Sequence, residues 1–315
     1  MSKTNNNYFL LLGNLAIDIT SYTDLYSFSL NKEDHSAEIT TTVGGCIFNI
    51  AVGLRVNNIP CSIFSLYAND QLGQLLINDL KSKDIDTKNM APLLPKNNQT
   101  VLLVKKDGNK IMFSDRAKLP EINKIIDHYF ENEIKNIRNI HLSPNFWNKI
   151  IIHKLCKKNS DLLISADLHL HYGIDSIDDD LLPYLEILFF SGAGRTNSKE
   201  LVRRAMKQGA KIVICTLGDK GAILGIKETE KYYHFPAIKQ DKEIVNTIGA
   251  GDIFAATFLS FYYQGNDIRE AMLKAHIQAG KRCISKEFNL YNKQTLDEQY
   301  NKISKNYFDI VTNLS

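Results

Sequence analysis

The chain has 315 residues, 44% of them hydrophobic, enough for one large core or two smaller ones. Its 38 basic and 35 acidic residues are interspersed and leave a formal net charge of +3, so no nucleic-acid or membrane partner is expected. Five cysteines, Cys46, Cys61, Cys156, Cys215 and Cys283, show no C-x-x-C spacing, and the apolar run Tyr8–Leu12 is too short for a signal or membrane segment. A cytoplasmic protein with reduced thiols is the expectation.

Apolar runs of strand length alternate with amphipathic runs of helix length. A first strand is predicted over Tyr8–Leu12. Ser21–Val43 follows, polar and Thr/Ser-rich with a short extended run at Glu38–Val43. Next come a helix over Ile47–Val56, a strand over Ser62–Leu66, and a helix over Gln71–Lys81 with Leu72, Leu75, Leu76 and Leu80 on one face. Thr100–Lys105 and Lys110–Ser114 flank Asp107-Gly108, a hairpin signal. Strands are then predicted at Asn139–Leu142, Leu162–Ser165, Ile187–Phe190 and Ile212–Thr216, with helices over Phe146–Lys158 and Lys199–Gln208. Ile253–Tyr263 is apolar on nearly every side and stops before Gly265, which reads as a buried helix. Another helix starts at Asp267, where Asp267 and Glu270 have capping-box spacing.

This order predicts an α/β fold, a doubly wound, mostly parallel sheet with helices on both faces. The two segments that break the rhythm suit a small β-sheet lid. Residues 1–20, 44–97 and 117–315 are assigned to the main domain, and 21–43 and 98–116 to the lid.

The phosphate loop G-x-x-x-x-G-K-[ST] is absent. Gly192-Ala193-Gly194-Arg195-Thr196-Asn197 approaches G-x-G-x-x-G after a predicted strand but lacks the third glycine, so an NAD-dependent oxidoreductase with Asp219 near the ribose is a distant alternative. Gly249-Ala250-Gly251-Asp252 stands at the amino end of the buried helix, where unpaired N–H groups and the macrodipole suit an anion. Val43-Gly44-Gly45-Cys46-Ile47-Phe48-Asn49 opens an earlier helix, and Thr216-Leu217-Gly218-Asp219-Lys220-Gly221 follows a strand.

These motifs, in this order, resemble the signatures of the ribokinase-like, or PfkB, family of carbohydrate kinases. The resemblance covers most of the chain and implies ATP-dependent phosphorylation, with Mg²⁺, of a hydroxyl on a sugar or sugar-like molecule. Asp252 then serves as general base, and at the helix N-terminus that begins with Gly249 the N–H groups of Ala250, Gly251 and Asp252 form the anion hole. Asp18, placed after the first strand, and Gly44, Gly45 and Asn49 are expected to bind substrate. Thr216, Gly218 and Gly221 form the nucleotide wall, and Asn289, with His276, Ala279 and Gly280 nearby, falls where relatives line the adenine pocket. A homodimer through the lid is also implied. Each residue has a plainer alternative: a helix-start acid for Asp252, a turn acid for Asp18, a hinge for Gly44-Gly45, a strand-turn-strand hairpin for Thr216–Gly221. A nucleoside kinase of the same fold, or a degenerate member that binds without turnover, are the rival functions.

Three departures stand out. Ser191 and Gly194 occupy the positions of the family's N-x-x-E, whose acid helps to organise Mg²⁺. Asn246 replaces the leading Asp of D-T-x-G-A-G-D, which removes a charge from any monovalent-cation site. Asp167-x-His169-x-His171 replaces D-x-N-x-R; three polar side chains on one strand face also resemble a metal site, but substrate-side or nucleotide-side contacts are favoured and no metal ligand is assigned.

Overall fold

A computed structural model of the protein describes residues 8–23, 38–105, 110–119, 137–143, 151–156, 161–170, 180–285 and 288–315. Asp107-Gly108, His171, the middle of the Ser21–Val43 segment and both ends of the Phe146–Lys158 helix lie outside these residues. Residues 151–156 are helical.

Along the chain, β1 (Phe9–Leu12), β2 (Ala16–Thr23) and β3 (Glu38–Gly44) lead into α1 (Cys46–Val56), β4 (Cys61–Leu66), α2 (Gln71–Ser82) and β5 (Met90–Ala91). Next are β6 (Gln99–Lys105), β7 (Lys110–Asp115), β8 (Asn139–Leu142), β9 (Leu163–Asp167), β10 (Ile187–Ser191), α3 (Ser198–Lys207) and β11 (Ile212–Thr216). The remainder comprises β12 (Ala222–Ile226), β13 (Lys231–Phe235), α4 (Ala250–Tyr262), α5 (Ile268–Cys283), α6 (Lys293–Phe308) and β14 (Thr312–Asn313).

The large sheet has the order β14-β13-β12-β11-β10-β9-β8-β1-β4-β5. From β5 to β11 every neighbouring pair is parallel, whereas β12, β13 and β14 extend the sheet antiparallel. Strands β1, β4 and β8 are buried at every residue, as parallel strands covered on both faces must be. Side-chain alternation divides β1 between two cores: Phe9 and Leu11 pack with α1, α4 and α5, while Leu10 and Leu12 pack with α3 and the helix at 151–156. The sheet is doubly wound, as the alternation of runs predicts.

Helix α4 is buried from Asp252 to Phe261, which is why its sequence is apolar all round. It lies close against α1: a Cβ on Gly53 would stand 2.6 Å from the Cβ of Ala256. Gly265, at φ 89°, ends the turn that follows.

The smaller sheet has the order β3-β2-β6-β7, with β2 and β6 parallel and the outer pairs antiparallel. Its strands cover residues 16–23, 38–44, 99–105 and 110–115, so it starts earlier than the assigned lid segments, because β2 begins at Ala16. The antiparallel extension and α6 have no counterpart among the predicted elements. The capping box at Asp267 is only half made: Asp267 Oδ1 accepts from Arg269 N at 2.8 Å, but Glu270 Oε1 accepts from Asn266 Nδ2 and pairs with Lys274 instead of reaching back. Among the described residues no helix is long and apolar enough to cross a membrane.

Candidate active site

The parallel register of β9, β10 and β11 brings the loops after them to one edge of the sheet, the edge where open α/β sheets bind ligands. The backbone laces these loops together. Ser191 N donates to His169 O at 2.7 Å, and Gly192 N donates to Thr216 O at 2.8 Å. Asp167, the buried last residue of β9, accepts from His169 N at 2.8 Å. This contact helps to hold His169 at φ 48°, a left-handed conformation uncommon for a non-glycine residue.

Helix α4 presents its amino end at the same place. Gly249 caps it at φ 77°, where a side chain would be strained and its Cβ would lie 3.0 Å from Asn49 Nδ2. Ala250, Gly251 and Asp252 occupy the first turn, whose N–H groups have no intrahelical acceptors. Ala250 N donates to Thr247 O at 3.2 Å, so the anion hole expected of three amides has one already engaged. Gly251 faces open space, with nothing within 4 Å of where a Cβ would stand.

Asp252 is only 7% exposed. Its Oδ2 accepts a hydrogen bond from Asn49 Nδ2 at 2.6 Å, and its Oδ1 lies 4.0 Å from His169 Nδ1. The same Nδ1 is 3.4 Å from Asp167 Oδ1. Burial by itself would lower the His169 pKa, but Asp167, Cys46 and Asp252 together raise it well above its ordinary value. The Cys46 thiol is pushed up by burial and then by Asp252. One oxygen of this carboxylate is thus held by an amide and the other faces an imidazole.

Gly44 and Gly45 precede α1. A Cβ on Gly44 would fall 1.8 Å from Asp18 Oδ2, and one on Gly45, at φ 98°, would fall 2.8 Å from Asn14 O. Close approach, and not only hinge freedom, requires glycine here. Asp18 is not at the end of β1 as expected; the chain turns through residues 13–15 and Asp18 sits within β2, opposite Thr42 and Thr100. Burial raises its pKa, and the Thr100 hydroxyl opposes the shift. Asn49, expected to touch sugar, is buried and gives its amide to Asp252.

Thr216 ends β11 and its turn leads into antiparallel β12, with Thr216 opposite Ala222, so this stretch is built as strand, turn and strand. Gly218 at φ 64° faces open space, whereas a Cβ on Gly221 at φ 94° would meet Phe235 O at 2.0 Å. Asn289 is exposed, between α5 and α6. His276 is buried against Phe254 and Tyr307.

The departures also find their places. Ser191 Oγ accepts weakly from Ala193 N at 3.4 Å, and Gly194 at φ 77° faces open space, so neither offers a carboxylate to Mg²⁺. Gly194 and Gly218 in loops and Gly251 at the start of α4 nevertheless leave open ground of a kind that suits phosphate oxygens. Asn246 is buried; its Oδ1 accepts from Ile248 N at 2.9 Å, its Nδ2 donates to Tyr22 Oη at 3.2 Å, and its carbonyl accepts from Arg282 Nη1 at 3.4 Å. Sequence reasoning missed Cys46 and Arg282 altogether, and the approach of His169 to Asp252. The only signals were a thiol directly after Gly-Gly and a histidine where relatives have Asn.

The pfkB family carbohydrate kinase model matches residues 10–286. Fructosamine kinase FrlD of Bacillus subtilis (strain 168) is 26% identical over 245 residues, 76% of this chain and 83% of that one. Among solved structures, the microbiome-derived acarbose kinase Mak1 superposes with a TM-score of 0.81 at 19% identity, covering 92% of this chain and 97% of its own. A putative ribokinase II from E. coli, in complex with ATP and Mg²⁺, gives a TM-score of 0.75 at 17% identity, covering 94% and 99%. The two structural matches speak to the fold. With the family model spanning nearly the whole chain and its glycine signatures gathered at one sheet edge, this protein belongs to the pfkB family of carbohydrate kinases.

Proposed function

We propose that this kinase moves the terminal phosphoryl group of ATP to a hydroxyl of a sugar or sugar-like molecule, with Asp252 taking the hydroxyl proton. The observation that carries this reading is the placement of a buried carboxylate, fixed by Asn49 at 2.6 Å, on the first turn of a helix whose Gly251 faces open space. An alcohol entering there meets a proton acceptor and backbone donors at one spot. ATP with Mg²⁺ supplies the phosphoryl group and neutralises its charge when bound.

The chain's own groups have separate tasks in this reading. The Gly251 and Asp252 amides stabilise the transferring phosphoryl oxygens, and Ala250 joins them if its bond to Thr247 opens. Asp18, short of water in β2, accepts hydrogen bonds from sugar hydroxyls beside Gly44. Gly218 and Gly194 let nucleotide phosphates approach the loop tops, while Gly221 shapes the turn. Asn289 is retained as a contact on the adenine side. The lid runs over residues 21–43 and 98–116, extended by 16–20. Cytoplasmic residence agrees with five free thiols.

One face of the small sheet carries Ile39, Val101, Ile111 and Phe113, all exposed. Ile111 lies opposite Leu103, and Phe113 opposite Val101, so these residues share a continuous face. A second copy of the chain is proposed to cover it.

The deciding experiment measures ATP consumption with Mg²⁺ across sugars, sugar–amine adducts and nucleosides. Adducts come first because FrlD, one of the similar proteins, is a fructosamine kinase. Turnover with a sugar or an adduct supports the reading. Turnover with nucleosides alone favours the nucleoside kinase, and ligand-induced stabilisation without turnover favours a binding protein.

A further inference from the structure

We propose that Cys46, His169 and Asp252 form a site for a thiophilic divalent metal ion such as Zn²⁺, and that an ion bound there withdraws the Asp252 carboxylate from phosphoryl transfer. The second half rests on the role given to Asp252 above; the first half does not.

The three residues come from three separate elements. Cys46 is the first residue of α1, His169 follows β9, and Asp252 lies in the first turn of α4. One ligand atom from each lies within 4.8 Å of the other two. A tetrahedral zinc ion with ordinary bond lengths sets its ligand atoms roughly 3.3–3.6 Å apart, so small side-chain rotations complete the site. Thiolate, imidazole and carboxylate together select Zn²⁺ or Co²⁺; Mg²⁺ prefers oxygen ligands alone.

Two further features point to a ligand. His169 has Nδ1 3.4 Å from Asp167 Oδ1, while its buried Nε2 has no hydrogen-bond partner. Nδ1 is also the nitrogen that faces Asp252 Oδ1, at 4.0 Å, so the rotation of the ring decides which nitrogen meets the ion; with Nε2 on the ion and Nδ1 kept by Asp167, the ring has the outer arrangement of a metal-binding histidine. Asn49 supplies the matching outer contact on Asp252 Oδ2, which leaves Oδ1 facing the cluster. The left-handed backbone of His169 is consistent with a residue held in place for its side chain. Three protein ligands leave a fourth position for water or for the substrate hydroxyl.

Binding would displace the thiol proton of Cys46, and an imidazole proton wherever His169 carries one, with no change of oxidation state. The set differs from the three residues singled out in sequence, since Asp167 orients instead of ligating and His171 is outside the described residues.

The test titrates the full-length, metal-free protein with Co²⁺. One equivalent is expected to produce a thiolate-to-cobalt charge-transfer band and four-coordinate visible bands, both removed by Zn²⁺. Cys46→Ser should abolish the charge-transfer band, and His169→Ala should weaken Co²⁺ binding by about 10-fold or more, with circular dichroism confirming that both variants fold. A wild-type protein without the band, or a Cys46→Ser protein that keeps it, overturns the site. With Mg–ATP in excess, Zn²⁺ should inhibit wild type reversibly, whereas Cys46→Ser, compared with its own zinc-free rate, should need about 10-fold more. Equal inhibition of the two overturns the link to Asp252. If the zinc-free protein phosphorylates no substrate, the kinase reading fails while the cobalt band still decides the metal site.

Discussion

Asn49 donates its side-chain amide to Asp252 Oδ2 at 2.6 Å, so the first turns of α1 and α4 are joined across 203 positions of sequence. The bond orients the carboxylate and, being made to a charged acceptor, is of the stronger kind. Asp252→Asn should leave ATP binding largely intact and cut phosphoryl transfer by a factor on the order of 10² or more. Asn49→Ala removes a bond of about 1.5–3 kcal/mol and should lower kcat about 10-fold or more with little change in ATP affinity. Steady-state kinetics and ATP titration calorimetry check both; unchanged turnover in Asp252→Asn removes that residue from the mechanism.

Gly44→Ala should act through Asp18. The added Cβ would fall 1.8 Å from Asp18 Oδ2, so the carboxylate must turn away. If Asp18 holds sugar hydroxyls, KM for the sugar should rise about 10-fold or more, while the Kd for ATP stays within a factor of about two. An unchanged KM would show that Asp18 does not touch substrate.

Acid should destabilise the protein through two buried histidines. Burial lowers the pKa of His141 to about 4, and that of His276 to about 3, with His234 adding to the latter. Both folded-state values lie below the unfolded value near 6.5, so their contribution is present above about pH 6.5 and is lost as pH falls. Between about pH 5.5 and 4.5 the unfolded chain holds nearly two more protons at these sites, a slope on the order of 2–3 kcal/mol per pH unit. Urea unfolding over that range reads it. A flat profile would show that neither ring is neutral and buried.

Potassium should matter little. The Asn246 carbonyl already accepts from Arg282 Nη1, whose guanidinium also donates to Ser285 O at 2.7 Å, so a fixed cation serves this turn. Exchanging K⁺ for Na⁺ in the assay should change the rate by less than about twofold. A large activation by K⁺ would locate an ion site that the guanidinium does not replace.

Assembly should depend on the small sheet. Ile111→Asp with Phe113→Asp puts two carboxylates on its exposed apolar face. Light scattering after size exclusion should show a dimer for wild type and a monomer for the double variant, with equal circular dichroism. A wild-type monomer at tens of micromolar would remove the dimer proposal.

Much of the fold could be read from the chain because its signals are local. β8 and β11 have the predicted ends, and β1, β4 and β10 differ by one residue at an end, since each is an apolar run bounded by polar or turn residues. The antiparallel tail was less legible. Lys231–Phe235 is only partly buried and β14 has two residues, so neither carries a strong apolar pattern. Asp18 was misplaced because nothing in residues 13–15 announces that the chain leaves one sheet for another.

The sequence by itself determined the family signatures, the glycine turns and the buried helix that begins at Gly-Ala-Gly-Asp, because turn chemistry and periodicity act over a few residues. Only the tertiary structure decided what Asp252 meets. Asn49 and Cys46 reach it from α1 and His169 from the loop after β9, two places far from α4 in the chain, and their convergence depends on parallel register and on the closeness of α1 to α4 at Gly53. Those are long-range packing relations, and no short window of sequence contains them.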